Sequence, residues 1–234
     1  MPGDAGLIRI ALVEDQPLFA EAFDIVLTHA GHVVRRVSPR SSSVDRVAAE
    51  VLRQKPHVAL LDLPLEPTDG AHLVCPLALA GVAVIVVTAT TDPARHGECL
   101  HLGARAVVTK SAHLETVLSR IRDVGAGRPA VSHEQRTTLL TCYRNEQARD
   151  ARSAALLQTL SPRESEVLGE LMRGTSVVEI ARAAFVAEAT VRAQVRAIRV
   201  KLGVPSQLGA VGLAFRAGWR PPGPSHPWPA SAHP

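Results

Sequence analysis

The chain has 234 residues, a formal net charge of +4 at neutral pH and 46% hydrophobic residues, enough for two domains with ordinary buried cores. Its longest strongly apolar run, Val82–Val87, is strand-sized and far short of the roughly 20 residues of a membrane helix, and no charged-then-apolar segment opens it, so a cytoplasmic protein with no membrane span is expected. Cys75, Cys99 and Cys142 are odd in number and widely separated, which fits buried or incidental thiols rather than a disulfide framework, and His96, Cys99 and His101 lack a fourth metal ligand at a usual spacing.

From Leu7 onward apolar strands alternate with amphipathic helices. Strands are predicted at Ile8–Val13, His32–Val37, Val58–Leu61, Val82–Thr88 and Ala106–Thr109, and helices at Pro17–Ala30, Ser43–Gln54, Ala94–Leu102 and Ala112–Val124, with helical or loose sequence before Ala80. Val58–Leu61 is apolar throughout and belongs at the buried centre of a sheet. Five such units predict an α/β fold, a doubly wound five-stranded parallel sheet with right-handed crossovers and its site at the carboxyl ends of the strands.

The residues predicted at those ends share one chemistry. Glu14 and Asp15 follow the first strand, Asp62 the third, Thr88 ends the fourth and Lys110 follows the fifth. Three converging carboxylates repel one another unless a cation joins them, and hard oxygen ligands with room for water suit Mg²⁺. An aspartate so placed can attack a phosphoryl group while a metal ion, Lys110 and the Thr88 hydroxyl stabilise its oxygens. Taken singly, each residue is more often a helix cap or a solvated loop residue; the set of five is what argues for a site.

Gly125, Gly127 and Pro129 mark a boundary, and Ser132–Thr159 is polar, Arg-rich and moderately helical, which predicts a linker helix plus a flexible segment without a lasting heptad pattern. Three closely spaced helix signals then follow. Ser161-Pro162 with Glu164 makes a capping box, Gly174 offers a left-handed stop, and Ser176 with Glu179 repeats the box. Val191, Val195, Ile198 and Leu202 fall on one helical stripe, while Arg192, Arg196 and Arg199 form a parallel stripe about 100° around the axis. Two short helices under a third with a basic outer face suit a helix-turn-helix whose last helix enters the major groove of double-stranded DNA. Acidic residues outnumber basic ones over residues 1–124 and the reverse holds over 152–220, so the positive charge sits with this segment. Ser206–Ala217 reads as a closing helix whose Leu208, Val211 and Leu213 serve the small core or a dimer contact, and the Pro-rich tail from residue 218 cannot bury a core and is expected to be disordered.

With LSPRE, GTS-x-x-EIA, EATVR and KLGV in that order, the last third of the chain resembles the DNA-binding domain of LuxR-type (NarL-type) regulators. Glu14-Asp15, Asp62, Thr88-Ala89 and Lys110 resemble in order and spacing the receiver domain of two-component response regulators. The resemblance implies a receiver over 7–124, a linker over 125–159, a helix-turn-helix domain over 160–217 and a tail over 218–234. It further implies a flavodoxin-like receiver fold, phosphorylation of Asp62 by a sensor histidine kinase or small phosphodonor with Glu14, Asp15 and Asp62 holding Mg²⁺, and a homodimer on promoter DNA. Arg192, Ala193 and Arg196 would face bases, with Thr190, Arg199 and Lys201 at phosphates or in the fold. Departures from the family pattern are Ala187 for a capping Ser, Val177-Val178 for Asn-Lys, Gln194 for His, Val107 for the usual aromatic, and Leu65-Glu66-Pro67 in the loop after Asp62. They leave open a second reading, in which the receiver is a dimerisation or ligand-sensing module that works unphosphorylated. A phosphatase would want a second carboxylate where Pro64 stands, so no enzyme is expected.

Overall fold

The computed structural model describes residues 7–39, 43–65 and 68–221. Glu66, Pro67 and the tail beyond Pro221, where disorder is expected, lie outside the described residues. The chain divides into two compact units, Met1–Asn145 and Glu146–Pro234.

In the first unit β1 (Arg9–Val13), β2 (Val33–Val37), β3 (Val58–Leu61), β6 (Ala83–Thr88) and β7 (Ala106–Thr109) form one parallel sheet in the order β2-β1-β3-β6-β7. The period-two alternation of strand side chains builds a core on each face. Ala11, Val13, Ala59, Leu61, Val84 and Val86 pack with Val47 and Val51 of α2 (Val44–Arg53) and Leu73, Val74 and Leu77 of α3 (Ala71–Leu79). Ile10, Leu12, Val58, Leu60, Ile85 and Val87 pack with Ala20 and Leu27 of α1 (Pro17–His29) and Val117 and Ile121 of α5 (Leu114–Gly125). β3 is buried on both faces, as its uninterrupted apolar sequence requires. The sequence gives no sign of the two-residue antiparallel pair β4 (Pro64–Leu65) and β5 (Thr68–Asp69) directly after Asp62. Strands this short carry no periodicity to read.

One expectation needs correction. The segment predicted as a linker helix plus a flexible stretch is a single helix, α6 (His133–Gln158). The first unit accordingly runs past Val124 as far as Asn145, because the start of α6 packs on α4 (Pro93–His101). Gly97 makes this possible, since a Cβ there would lie 2.0 Å from the Leu139 carbonyl oxygen. The His101 and Tyr143 rings stand 5.1 Å apart, and Arg136 Nη2 donates to the Leu100 carbonyl at 3.2 Å.

In the second unit α7 (Pro162–Met172) and α8 (Val177–Ala183) pack against α9 (Glu188–Leu202), and α10 (Gln207–Arg216) closes the core. Both capping boxes form: Ser161 Oγ accepts from Glu164 N at 3.3 Å and Ser176 Oγ from Glu179 N at 3.3 Å. Ala187, at the N-cap of α9, makes no side-chain cap, and Gly203 ends that helix in the left-handed conformation at φ 64°. Leu213 is buried in the core, whereas Leu208 is exposed.

Candidate phosphoryl-transfer site and nucleic-acid interface

The strand order places the switch in winding direction between β1 and β3, and ligand sites of open α/β sheets gather there. The backbone fixes the relative heights of the site residues, with Asp62 N donating to Val13 O at 3.0 Å and Lys110 N to Thr88 O at 2.7 Å. Glu14, Asp62 and Thr88 are all buried. Each of Glu14, Asp15 and Asp62 offers a carboxylate oxygen within 4.8 Å of the others, so the three predicted ligands do converge. Lys110 Nζ bridges two of them, 2.8 Å from Glu14 Oε2 and 2.6 Å from Asp62 Oδ2.

Electrostatics follow from this packing. Burial, less the hydrogen bond from Lys110 and reinforced by the nearby Glu14 charge, pushes Asp62 up to about 6. Burial opposes the charge on Lys110, but hydrogen bonds to Asp62 and Glu14 outweigh it and raise the lysine above its ordinary value. A buried carboxylate whose proton affinity is raised within reach of two others marks a site short of positive charge. Its all-oxygen donor set fits a hard divalent cation.

The other groups leave the reacting face organised. Leu63 N donates to Asp62 Oδ1 at 2.8 Å. Thr90 N donates to Thr88 Oγ1 at 3.3 Å, which leaves the Thr88 hydroxyl proton available to donate. Nothing in its sequence context marks Gly70, yet a Cβ there would lie 2.0 Å from the Asp62 carbonyl oxygen. Only glycine lets the backbone at position 70 approach that of Asp62 this closely. Arg95 of α4 pairs with Asp69 of that loop and with Glu98, a tie from the loop to α4 that no sequence spacing announces.

In the second unit the arginine stripe divides. Thr190, Arg192, Ala193 and Arg196 are exposed on α9. Arg192 Nη2 lies 3.0 Å from Glu188 Oε2 in a solvent-exposed pair, a contact too weak to withhold it from a polyanion. Arg199 is half-buried and donates to the Pro205 carbonyl. Lys201 Nζ donates to Glu164 Oε2 at 2.6 Å and to the Thr159 carbonyl at 3.3 Å, which ties the end of α9 to the capping box of α7. Burial would raise the Glu164 carboxyl, but Lys201 and the Ser161 bonds together hold it below its ordinary value.

Comparison with known proteins agrees with both halves. Residues 10–122 match the response regulator receiver domain, and residues 158–214 match the bacterial regulatory proteins of the luxR family. The chain is a response regulator of the NarL/LuxR type. Among such regulators, the probable transcriptional regulatory protein NarL of Mycobacterium tuberculosis strain H37Rv is 28% identical over 213 residues, covering 89% of this chain and 94% of that protein. The nitrate/nitrite response regulator protein homolog of Haemophilus influenzae is 25% identical, covering 89% and 96%. Within the response regulators, the fold matches RcsB from Salmonella enterica serovar Typhimurium, solved bound to promoter P1flhDC, with a TM-score of 0.50, 19% identity and coverage of 90% and 99%. Among the described residues no helix is long and apolar enough to cross a membrane.

Proposed function

We propose that this response regulator is phosphorylated on Asp62 and that the modification controls its dimerisation and its binding to promoter DNA. The observation that supports this most is the convergence of three carboxylates with Lys110 bridging two of them. An Asp62 carboxylate oxygen attacks phosphorus, the bond to the leaving group breaks with its electron pair, and the product is an aspartyl acyl phosphate. Glu14, Asp15 and Asp62 would hold Mg²⁺, which when bound neutralises charge on the phosphoryl oxygens. Lys110 moves from the consumed Asp62 charge to a phosphoryl oxygen, and the Thr88 hydroxyl donates to another. A sensor histidine kinase or a small phosphodonor supplies the group, and the protein works in the cytoplasm as a homodimer. On DNA, Arg192, Ala193 and Arg196 face bases and Thr190 faces phosphates, while Arg199, held by the Pro205 carbonyl, and Lys201, held by Glu164, serve chiefly the fold. The domains on this reading are a receiver over 7–124 and a helix-turn-helix domain over 160–217, joined by 125–159, whose α6 is shared between the two compact units.

Intact-mass measurement after incubation with Mg²⁺ and acetyl phosphate tests the proposal. One phosphoryl adduct on the wild type, and none on Asp62→Asn, is expected. An unmodified wild type sinks it.

A further inference from the structure

The ring of Phe19 lies over the Lys110 ammonium, with Nζ 4.4 Å from the ring centroid. We infer that Phe19 is a positioning residue for Lys110, its aromatic face holding the ammonium at the meeting point of Glu14 and Asp62 and covering it from water. The placement follows from the chain itself. Gln16 takes the N-cap position of α1 without a side-chain cap and Pro17 starts the helix directly after the acidic pair, so its first turn begins beside the strand ends and brings the Phe19 ring to Lys110. Phe19 is the third residue of that turn. Its ring is partly exposed, whereas the Lys110 side chain beneath is only 7% exposed. Two directions around the ammonium are taken by carboxylate oxygens at 2.8 and 2.6 Å, and the ring face occupies a third.

A cation over an aromatic face is attracted by the ring quadrupole, more strongly when both are withdrawn from water. Lysine otherwise carries its charge on a flexible four-carbon stem that readily swings to solvent. The function this serves rests on the proposed chemistry of Asp62. Phosphorylation removes the Asp62 negative charge, and the lysine must then find a phosphoryl oxygen without leaving the site. A wall that attracts the cation while offering no competing anion keeps it within reach during that exchange.

The sequence makes the contact easy to test, because Lys55, Lys110 and Lys201 are the only lysines. The full-length, metal-free protein is acylated with limiting acetic anhydride, and each lysine is read by peptide mass, Lys55 and Lys201 serving as internal standards. Phe19→Ala should label Lys110 roughly two- to thirtyfold faster than wild type. Phe19→Leu, which keeps bulk but no π face, should also label faster, while Phe19→Trp should stay close to wild type. Wild-type labelling in the Ala variant removes the cover, and wild-type labelling in the Leu variant reduces it to bulk; either result overturns the inference. A second arm follows adduct formation with Mg²⁺ and acetyl phosphate, which should slow in Phe19→Ala and recover in Phe19→Trp. An unchanged rate in the Ala variant overturns the positioning role. If the wild type itself takes no phosphoryl group, the Asp62 proposal fails, while the labelling arm still decides whether Phe19 holds Lys110.

Discussion

Glu164 and Lys201 meet at 2.6 Å from opposite ends of the helix-turn-helix sequence, one in LSPRE and the other in KLGV. The pair ties the start of α7 to the end of α9, and Glu164 also accepts from Ser161 N at 2.7 Å. Because Lys201 is part-exposed and solvent screens the pair, the link is worth about 1 kcal/mol, below the roughly 1.5–3 kcal/mol of a shielded charge-assisted hydrogen bond. Glu164→Gln should therefore destabilise the second unit by about 1 kcal/mol at pH 7, measured by urea unfolding with Trp219, which packs on that core, as the probe. The folded carboxyl lies below its unfolded value, so its contribution is full above the ordinary carboxylate range and is lost as pH falls through the lowered value. The Gln variant should lose that acid-dependent part of the unfolding curve. Arg196 makes a different prediction. If it reads a base, Arg196→Ala loses about 1–3 kcal/mol on the cognate site and relaxes preference at one position, whereas equal loss on every sequence marks a phosphate contact.

At the scale of elements, the seat of α6 on α4 depends on an absent side chain. Gly97→Ala would set a methyl group 2.0 Å from the Leu139 carbonyl oxygen, backbone that cannot rotate away. Overpacking of this kind costs about 1–3 kcal/mol, and the expected result is faster amide exchange over residues 133–145 with the sheet unaffected. Protection equal to wild type would show that α6 does not need this contact. The same helix marks where the sequence could and could not be read. The strands, the capped helices and the five site residues were legible because each obeys a local rule: period-two burial, Ser-x-x-Glu caps, a polar residue at a strand's carboxyl end. α6 obeys none along its whole length. Leu139 and Tyr143 lie at its start in the first unit, while Leu156 and Leu157 near its end join the core of the second. Two partial apolar faces at opposite ends give no continuous stripe. Gly70, Phe19 and the Arg95–Asp69 tie were equally hidden, since each acts on residues distant in sequence.

For the molecule as a whole, Asp62 would link proton and metal if it serves as the proposed Mg²⁺ ligand. With its carboxyl near 6, Asp62 holds a proton at lower pH that a bound Mg²⁺ would have to displace. Mg²⁺ affinity, measured by calorimetry from pH 5 to 8, should weaken as pH falls through about 6 and level off above it. Stability of the metal-free protein should carry the opposite sign. A carboxyl raised on folding makes the folded state bind the extra proton, so its contribution grows as pH falls from about 6 toward the ordinary aspartate value. A pH-independent Mg²⁺ affinity would mean that Asp62 is not a ligand.

The double allegiance of α6 also sets where this protein can be cut and rejoined. Leu157 and Leu160 are buried with α7 and α9, yet the luxR-family match begins only at residue 158. A DNA-binding half excised at that border leaves Leu157 behind and opens a void of leucine size in its core, at a cost of about 2–5 kcal/mol. A cut at Glu146 keeps the core intact. Chimaeras that graft this DNA reader onto a foreign receiver should therefore join within residues 146–155, where neither core is breached.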